Sequence, residues 1–175
     1  MLDDRGQILV VDDEANLRRV LSVQLEREGF EVHTAPDGEA GLAFLSEHHV
    51  DLVITDLRMP KLGGMDLLRV AVREEPERPV VILTAHGTID IAVEALKIGA
   101  FDFIRKPFDQ DEVRLIVKKA MRTRELARRD AHRQGAAESA RFGIIGRHAS
   151  VQKVYAMIDR VAKAPTTVLI TGESG

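Results

Sequence analysis

The 175-residue chain has no cysteine. Disulfides, zinc thiolates and thiol nucleophiles are thereby excluded. No apolar run approaches the roughly 20 residues of a membrane-spanning helix. The first residues also lack the basic region and apolar stretch of a secretory leader. A cytoplasmic location with no membrane contact is the resulting expectation. Net charge is small as well. The 25 basic and 28 acidic residues leave −3 at pH 7, which gives the whole chain no electrostatic claim on nucleic acid. What remains is a composition of 45% hydrophobic and 30% charged residues, the profile of a soluble globular protein. The length allows one domain of roughly 100–150 residues and an additional segment.

Charge is unevenly placed. Lys118, Lys119, Arg122, Arg124, Arg128, Arg129 and Arg133 are opposed over the same stretch only by Glu125 and Asp130. A local shift of this kind marks a change of module. Ahead of it, short apolar runs alternate with amphipathic stretches. Residues 8–11, 52–55 and 80–84 are continuously apolar or nearly so and read as strands buried on both faces. Residues 30–34 and 102–105 read as more exposed strands. Between them, Leu17, Val20, Leu21 and Leu25 recur at helical spacing. Asp37 is placed to cap a helix through Leu42 and Leu45. Helices are expected over 65–73 and 88–98, and a longer one from Asp109, where Asp109 and Glu112 have capping-box spacing. Five strand–helix alternations predict a doubly wound parallel α/β sheet, a class in which sites form at the carboxyl ends of the strands.

Polar residues stand at those ends. Asp12-Asp13 follows the first strand, Asp56 the third, Thr84-Ala85 the fourth and Lys106-Pro107 the fifth. Singly, each has an ordinary explanation: an aspartate caps a turn, a threonine favours a strand, a lysine is solvated. Together they converge on one edge. Three carboxylates brought together repel one another unless a cation or proton intervenes. A hard divalent ion such as Mg²⁺ suits such oxygen ligands. With a lysine and a hydroxyl opposite, the set suits phosphoryl transfer to a carboxylate.

Residues 7 to about 125 resemble the receiver domain of bacterial two-component response regulators. The resemblance is carried by Val10-Val11-Asp12-Asp13-Glu14, by 51–60 (Asp-Leu-Val-Ile-Thr-Asp-Leu-Arg-Met-Pro), by Gly63-Gly64-Met65, by Leu83-Thr84-Ala85-His86-Gly87, by 99–103 and by Arg105-Lys106-Pro107-Phe108. It implies a flavodoxin-like five-stranded sheet of order 2-1-3-4-5. It further implies that Asp56 takes a phosphoryl group from a sensor histidine kinase. Asp13, Asp56 and the backbone carbonyl of Arg58 would bind Mg²⁺ directly, with Asp12 acting through a metal-bound water. Lys106 would pair with the phosphoryl group, and the Lys106–Pro107 bond would be cis. Thr84 would turn toward the added oxygens while Phe103 rotates inward; as a plain reading, Phe103 is a core aromatic. The chain is then a regulatory phosphoacceptor rather than an enzyme. A phosphatase that forms an aspartyl-phosphate needs a further general acid near its nucleophile, and Arg58 cannot serve as one.

The fourth helix carries more apolar residues than one buried stripe needs, through either deep burial or a partner surface. After the receiver, assigned to 1–122, a helical linker is expected over 123–140. Leu126, Ala127 and Ala131 extend an apolar seam there, read either as a homodimer contact made with the receiver or as a solvated basic linker. In 141–175, a strand over 167–171 runs into Gly172-Glu173-Ser174-Gly175, which resembles the opening of a P-loop. In context it resembles the start of the AAA+ ATPase domain of sigma-54-dependent (NtrC-type) activators, with Ile145 and Gly146 near the adenine pocket. The expected nucleotide site is incomplete: ATP, sigma-54 RNA polymerase and DNA would be engaged only by a longer protein.

Overall fold

The computed structural model describes the backbone of residues 6–85 and 89–142. Five strands alternate with five helices: β1 Gln7–Val11, α1 Ala15–Arg27, β2 Glu31–Ala35, α2 Gly38–Glu47, β3 Leu52–Asp56, α3 Gly64–Glu74, β4 Val80–Thr84, α4 Ile89–Ile98, β5 Asp102–Arg105 and α5 Gln110–Phe142. All the strand pairings are parallel, and the sheet runs in the order β2-β1-β3-β4-β5. This is the flavodoxin-like receiver fold, and it places every strand's carboxyl end at one edge.

The period-2 alternation of each strand builds two cores. Ile8, Val10, Leu52, Ile54, Val81 and Leu83 point to one face, where Leu21 and Leu25 of α1 and Val113 and Val117 of α5 cover them. Leu9, Val11, Val53 and Ile82 point to the other, under Leu45 of α2, Leu67, Leu68 and Ala71 of α3 and Ala95 of α4. Both cores are close to fully buried, and each such Leu or Ile contributes roughly 1.5–3 kcal/mol relative to exposure. β3 and β4 are buried throughout. β2, at the sheet edge, is mostly half-buried.

β2 begins one residue later than its sequence pattern implies. The Phe30 N–H donates to the Leu25 carbonyl at 3.2 Å, so Phe30 belongs to the turn that closes α1. The strand extends instead to Ala35, paired with Val11. Asp37 caps α2 as expected, accepting from the Ala40 N–H at 2.9 Å. At the start of α5 the Asp109 carboxylate accepts from the Asp111 N–H at 2.9 Å. α5 spans 33 residues. The chain divides into a compact unit Met1–Ala127 and a second unit from Arg128. Of the second, the continuation of α5 to Phe142 is described. The expected nucleotide-site residues Ile145, Gly146, Gly172, Glu173, Ser174 and Gly175 lie outside the described residues. No helix among the described residues is long and apolar enough to cross a membrane.

Candidate functional site

Adjacent parallel strands carry the acidic residues to one corner. Asp12 follows β1 and is wholly buried, Asp13 beside it is exposed, and Asp56 is the last residue of β3 and 9% exposed. Ligand oxygens from all three lie within 4.8 Å of one another. Lys106, after β5, points back across the edge. Its Nζ stands 2.8 Å from Asp12 Oδ2, 3.2 Å from Asp56 Oδ2 and 3.7 Å from Glu14 Oε1. The Lys106–Pro107 peptide is cis, and the Lys106 N–H donates to the Thr84 carbonyl at 2.7 Å. Thr84 ends β4, is buried, and donates its hydroxyl to the neighbouring Ala85 carbonyl at 3.3 Å. The five polar positions read from the strand ends thus do share one edge.

Main-chain groups complete the corner. The Leu57 N–H donates to Asp56 Oδ1 at 2.8 Å, and the Glu14 N–H to Asp12 Oδ1 at 2.8 Å. The Arg18 guanidinium donates to the Asp12 carbonyl. Gly64 lets the loop after β3 return close to the strand, since a Cβ there would meet the Asp56 carbonyl at 2.0 Å. Arg58 lies exposed in that loop. Phe103 is half-buried on β5, level with Ile82 of β4, and packs on the core beneath α2–α4.

The electrostatics are unbalanced. One ammonium faces the carboxylates of Asp12, Asp56 and Glu14, with Asp13 beside them. Burial pushes the Asp56 carboxyl above its ordinary range; Lys106 opposes this, and the Asp12 charge adds to it. Burial alone would lower the Lys106 ammonium, but its hydrogen bond to Asp12 and the nearby Asp56 charge outweigh that and hold it above the usual lysine value. Hard oxygen donors, net negative charge and an exposed Asp13 fit a divalent cation such as Mg²⁺, which takes a few carboxylates and keeps open positions. Asp12 already engages both oxygens, one with Glu14 and one with Lys106.

Glu14, Arg18 and the Leu57 N–H join the site without standing at a strand end as the other polar groups do. Glu14 and Arg18 carry a faint signal, an acid directly after the aspartate pair and a base one helical turn later. A backbone N–H carries none.

An α/β sheet with an acidic, lysine-faced pocket at the ends of β1, β3 and β5 defines the class of phosphoacceptor signalling domains. The family described as the response regulator receiver domain matches residues 8–118, and the chain belongs to it. Over 97% of its length it is 37% identical to the regulatory protein AtoC of Escherichia coli K12, of which it spans 37%. It is 34% identical to the DNA-binding transcriptional regulator NtrC of Proteus hauseri over 98% of this chain and 36% of that protein. The chain therefore spans little more than a third of these relatives. Among solved structures, it resembles the receiver domain of NtrX from Brucella abortus, with TM-score 0.64 and 40% identity over 66% of this chain and 98% of that one. A longer NtrX structure aligns with TM-score 0.71 and 34% identity, over 91% of this chain and 35% of that one.

Proposed function

We propose that Asp56 accepts a phosphoryl group from a phosphohistidine of a sensor histidine kinase, and that this controls a sigma-54-dependent transcription-activating ATPase in the longer protein. The observation supporting this reading is the Asp56 carboxylate at the end of β3. It is 9% exposed, 3.2 Å from Lys106 and within 4.8 Å of Asp12 and Asp13 oxygens. In the transfer an Asp56 carboxylate oxygen attacks phosphorus, the P–O bond forms, and the P–N bond breaks with its electron pair left on the imidazole. Leu57 N–H holds Asp56 Oδ1 and so orients the carboxylate. Lys106 offers its charge to the transferring oxygens, the kind of preorganised stabilisation on which such reactions depend. Asp13, Asp56 and the Arg58 carbonyl would hold Mg²⁺, with Asp12 behind them. Bound there, the ion supplies neutralisation of the phosphoryl oxygens.

The product carries about −1.5 to −2 charge and three acceptor oxygens. The Thr84 hydroxyl exchanges its bond to Ala85 for one of those oxygens, and Phe103 on the next strand follows inward. The receiver occupies residues 1–122 and the linker 123–140, with the opening of the ATPase domain over 141–175. The phosphorylated form self-associates through receiver and linker helix. Sigma-54 RNA polymerase, DNA and ATP are engaged by the longer protein, in the cytoplasm. Intact-mass measurement after incubation with acetyl phosphate tests the reading. One phosphoryl adduct is expected with Mg²⁺ present, and none with chelator or in Asp56→Asn; an adduct of equal yield in Asp56→Asn contradicts it.

A further inference from the structure

The loop 57–63 joins the end of β3 to α3 and carries Arg58. Its near end is held tightly: the Leu57 N–H donates to the Leu83 carbonyl at 3.1 Å and the Gly64 N–H to the Leu57 carbonyl at 3.0 Å. Its far end is strapped to a different element, the start of α2. The Gly38 N–H donates to the Leu62 carbonyl at 3.2 Å. That approach requires glycine, because a Cβ on Gly38 would lie 2.4 Å from the same oxygen.

Beside it, Lys61 adopts a left-handed backbone with φ of 62°, a region side-chain-bearing residues rarely enter. Its Nζ sits 2.6 Å from Asp37 Oδ2. The Asp37 side chain is 6% exposed, and its other oxygen caps α2 through the Ala40 N–H. A buried carboxylate fixed by a helix N-terminus is a rigid anchor, so the lysine conforms to it. Arg58 lies between the two fastened ends.

We propose that Lys61 is a positioning residue: its ion pair with Asp37 fixes the loop so that the Arg58 main-chain carbonyl completes the cation site with Asp13 and Asp56. This rests on the metal assignment above. Neither Lys61 nor Asp37 touches the acidic corner, so the effect is transmitted through the loop backbone.

Titration of the ¹⁵N-labelled chain with Mg²⁺, read from amide shifts, tests it. Lys61→Met is expected to raise the Mg²⁺ Kd roughly threefold to tenfold, at or below the low end of losses from groups that orient metal ligands. Lys61→Arg is expected to restore it. Lys61→Gly separates pairing from turn shape: glycine accepts this φ freely, so the turn is kept without backbone strain while the pair is lost and Mg²⁺ affinity still falls. Native-like affinity in Lys61→Met, or in Lys61→Gly alone, overturns the proposal, provided Asp13→Asn abolishes binding. If the native chain gives no Asp13-dependent shifts, the metal assignment fails and the strap proposal with it.

Discussion

Asp56 is an aspartate held at a cost. Its carboxyl lies above the ordinary range because burial disfavours the anion more than Lys106 favours it. A carboxylate whose pKa is raised by folding contributes stability only where it is protonated, and that contribution is lost as pH rises through the folded value. Above the ordinary aspartate range Asp56 therefore works against the fold. Asp56→Asn is expected to raise Tm at pH 7 in the presence of chelator. The difference should shrink as pH falls below the ordinary aspartate range, where native Asp56 is neutral in both states. Calorimetry across pH checks this; an Asp56→Asn variant less stable at pH 7 would contradict the raised pKa. Asp12, Asp13, Asp56 and Thr84 are legible in the sequence because each is a polar type at the end of an apolar run, and Lys106 because it follows the fifth strand beside Pro107. Their local partners are not. The Leu57 N–H has no side-chain signature, and nothing in the sequence places the Glu14 carboxylate 3.7 Å from Lys106.

Among the elements, α5 departs furthest from a pattern reading. Arg124 belongs by sequence to a basic run, and such runs are ordinarily solvated. Here it is 5% exposed and pairs with Glu75, which follows α3 and also holds the buried Arg78. Asp51, just before β3, lies 3.9 Å from the same guanidinium and accepts from the Gln7 N–H at 3.0 Å. The edge opposite the acidic corner is thus closed by an ionic network between α3 and α5. Periodicity cannot reveal it, since apart from the neighbouring Glu75 and Arg78 its members stand far apart in sequence. Glu75→Gln takes the carboxylate away from buried Arg78 and leaves buried Arg124 only Asp51 at 3.9 Å, and is expected to cost about 3 kcal/mol, the low end for breaking a buried pair. Arg69→Ala removes only exposed pairs and should cost at most about 1 kcal/mol. Urea unfolding distinguishes them, and equal effects would refute the ranking. Burial would raise the Glu75 carboxyl, but hydrogen bonds from Arg78 and Arg124 outweigh it and lower the pKa. Its stabilisation is therefore present above the ordinary glutamate range and lost as pH falls through the depressed value. The strands are more legible in the sequence than this network because parallel burial leaves continuous apolar runs. The one-residue shift of β2 reflects the turn bond of Phe30, which hydrophobicity does not encode.

At the scale of the molecule, apolar surface remains on the helices. Val93 and Leu96 of α4 are 43% and 39% exposed, which identifies part of the apolar surplus as surface while Ala92 and Ala95 fill the core. Leu115 and Leu126 of α5 are 70% and 52% exposed. If these faces serve the proposed self-association, Val93→Asp with Leu96→Asp should leave the acetyl-phosphate adduct intact and weaken dimer formation by the phosphorylated chain in sedimentation velocity. Unchanged dimer formation would assign the contact elsewhere. Fold class and strand order were readable from five alternations and a family resemblance, because both are properties of the whole pattern. Borohydride reduction of the phosphorylated chain converts an acyl phosphate to homoserine, and peptide mapping then locates it. Homoserine is expected at position 56 alone; homoserine at Asp12 or Asp13, with Asp56 unmodified, would contradict phosphoryl transfer to Asp56.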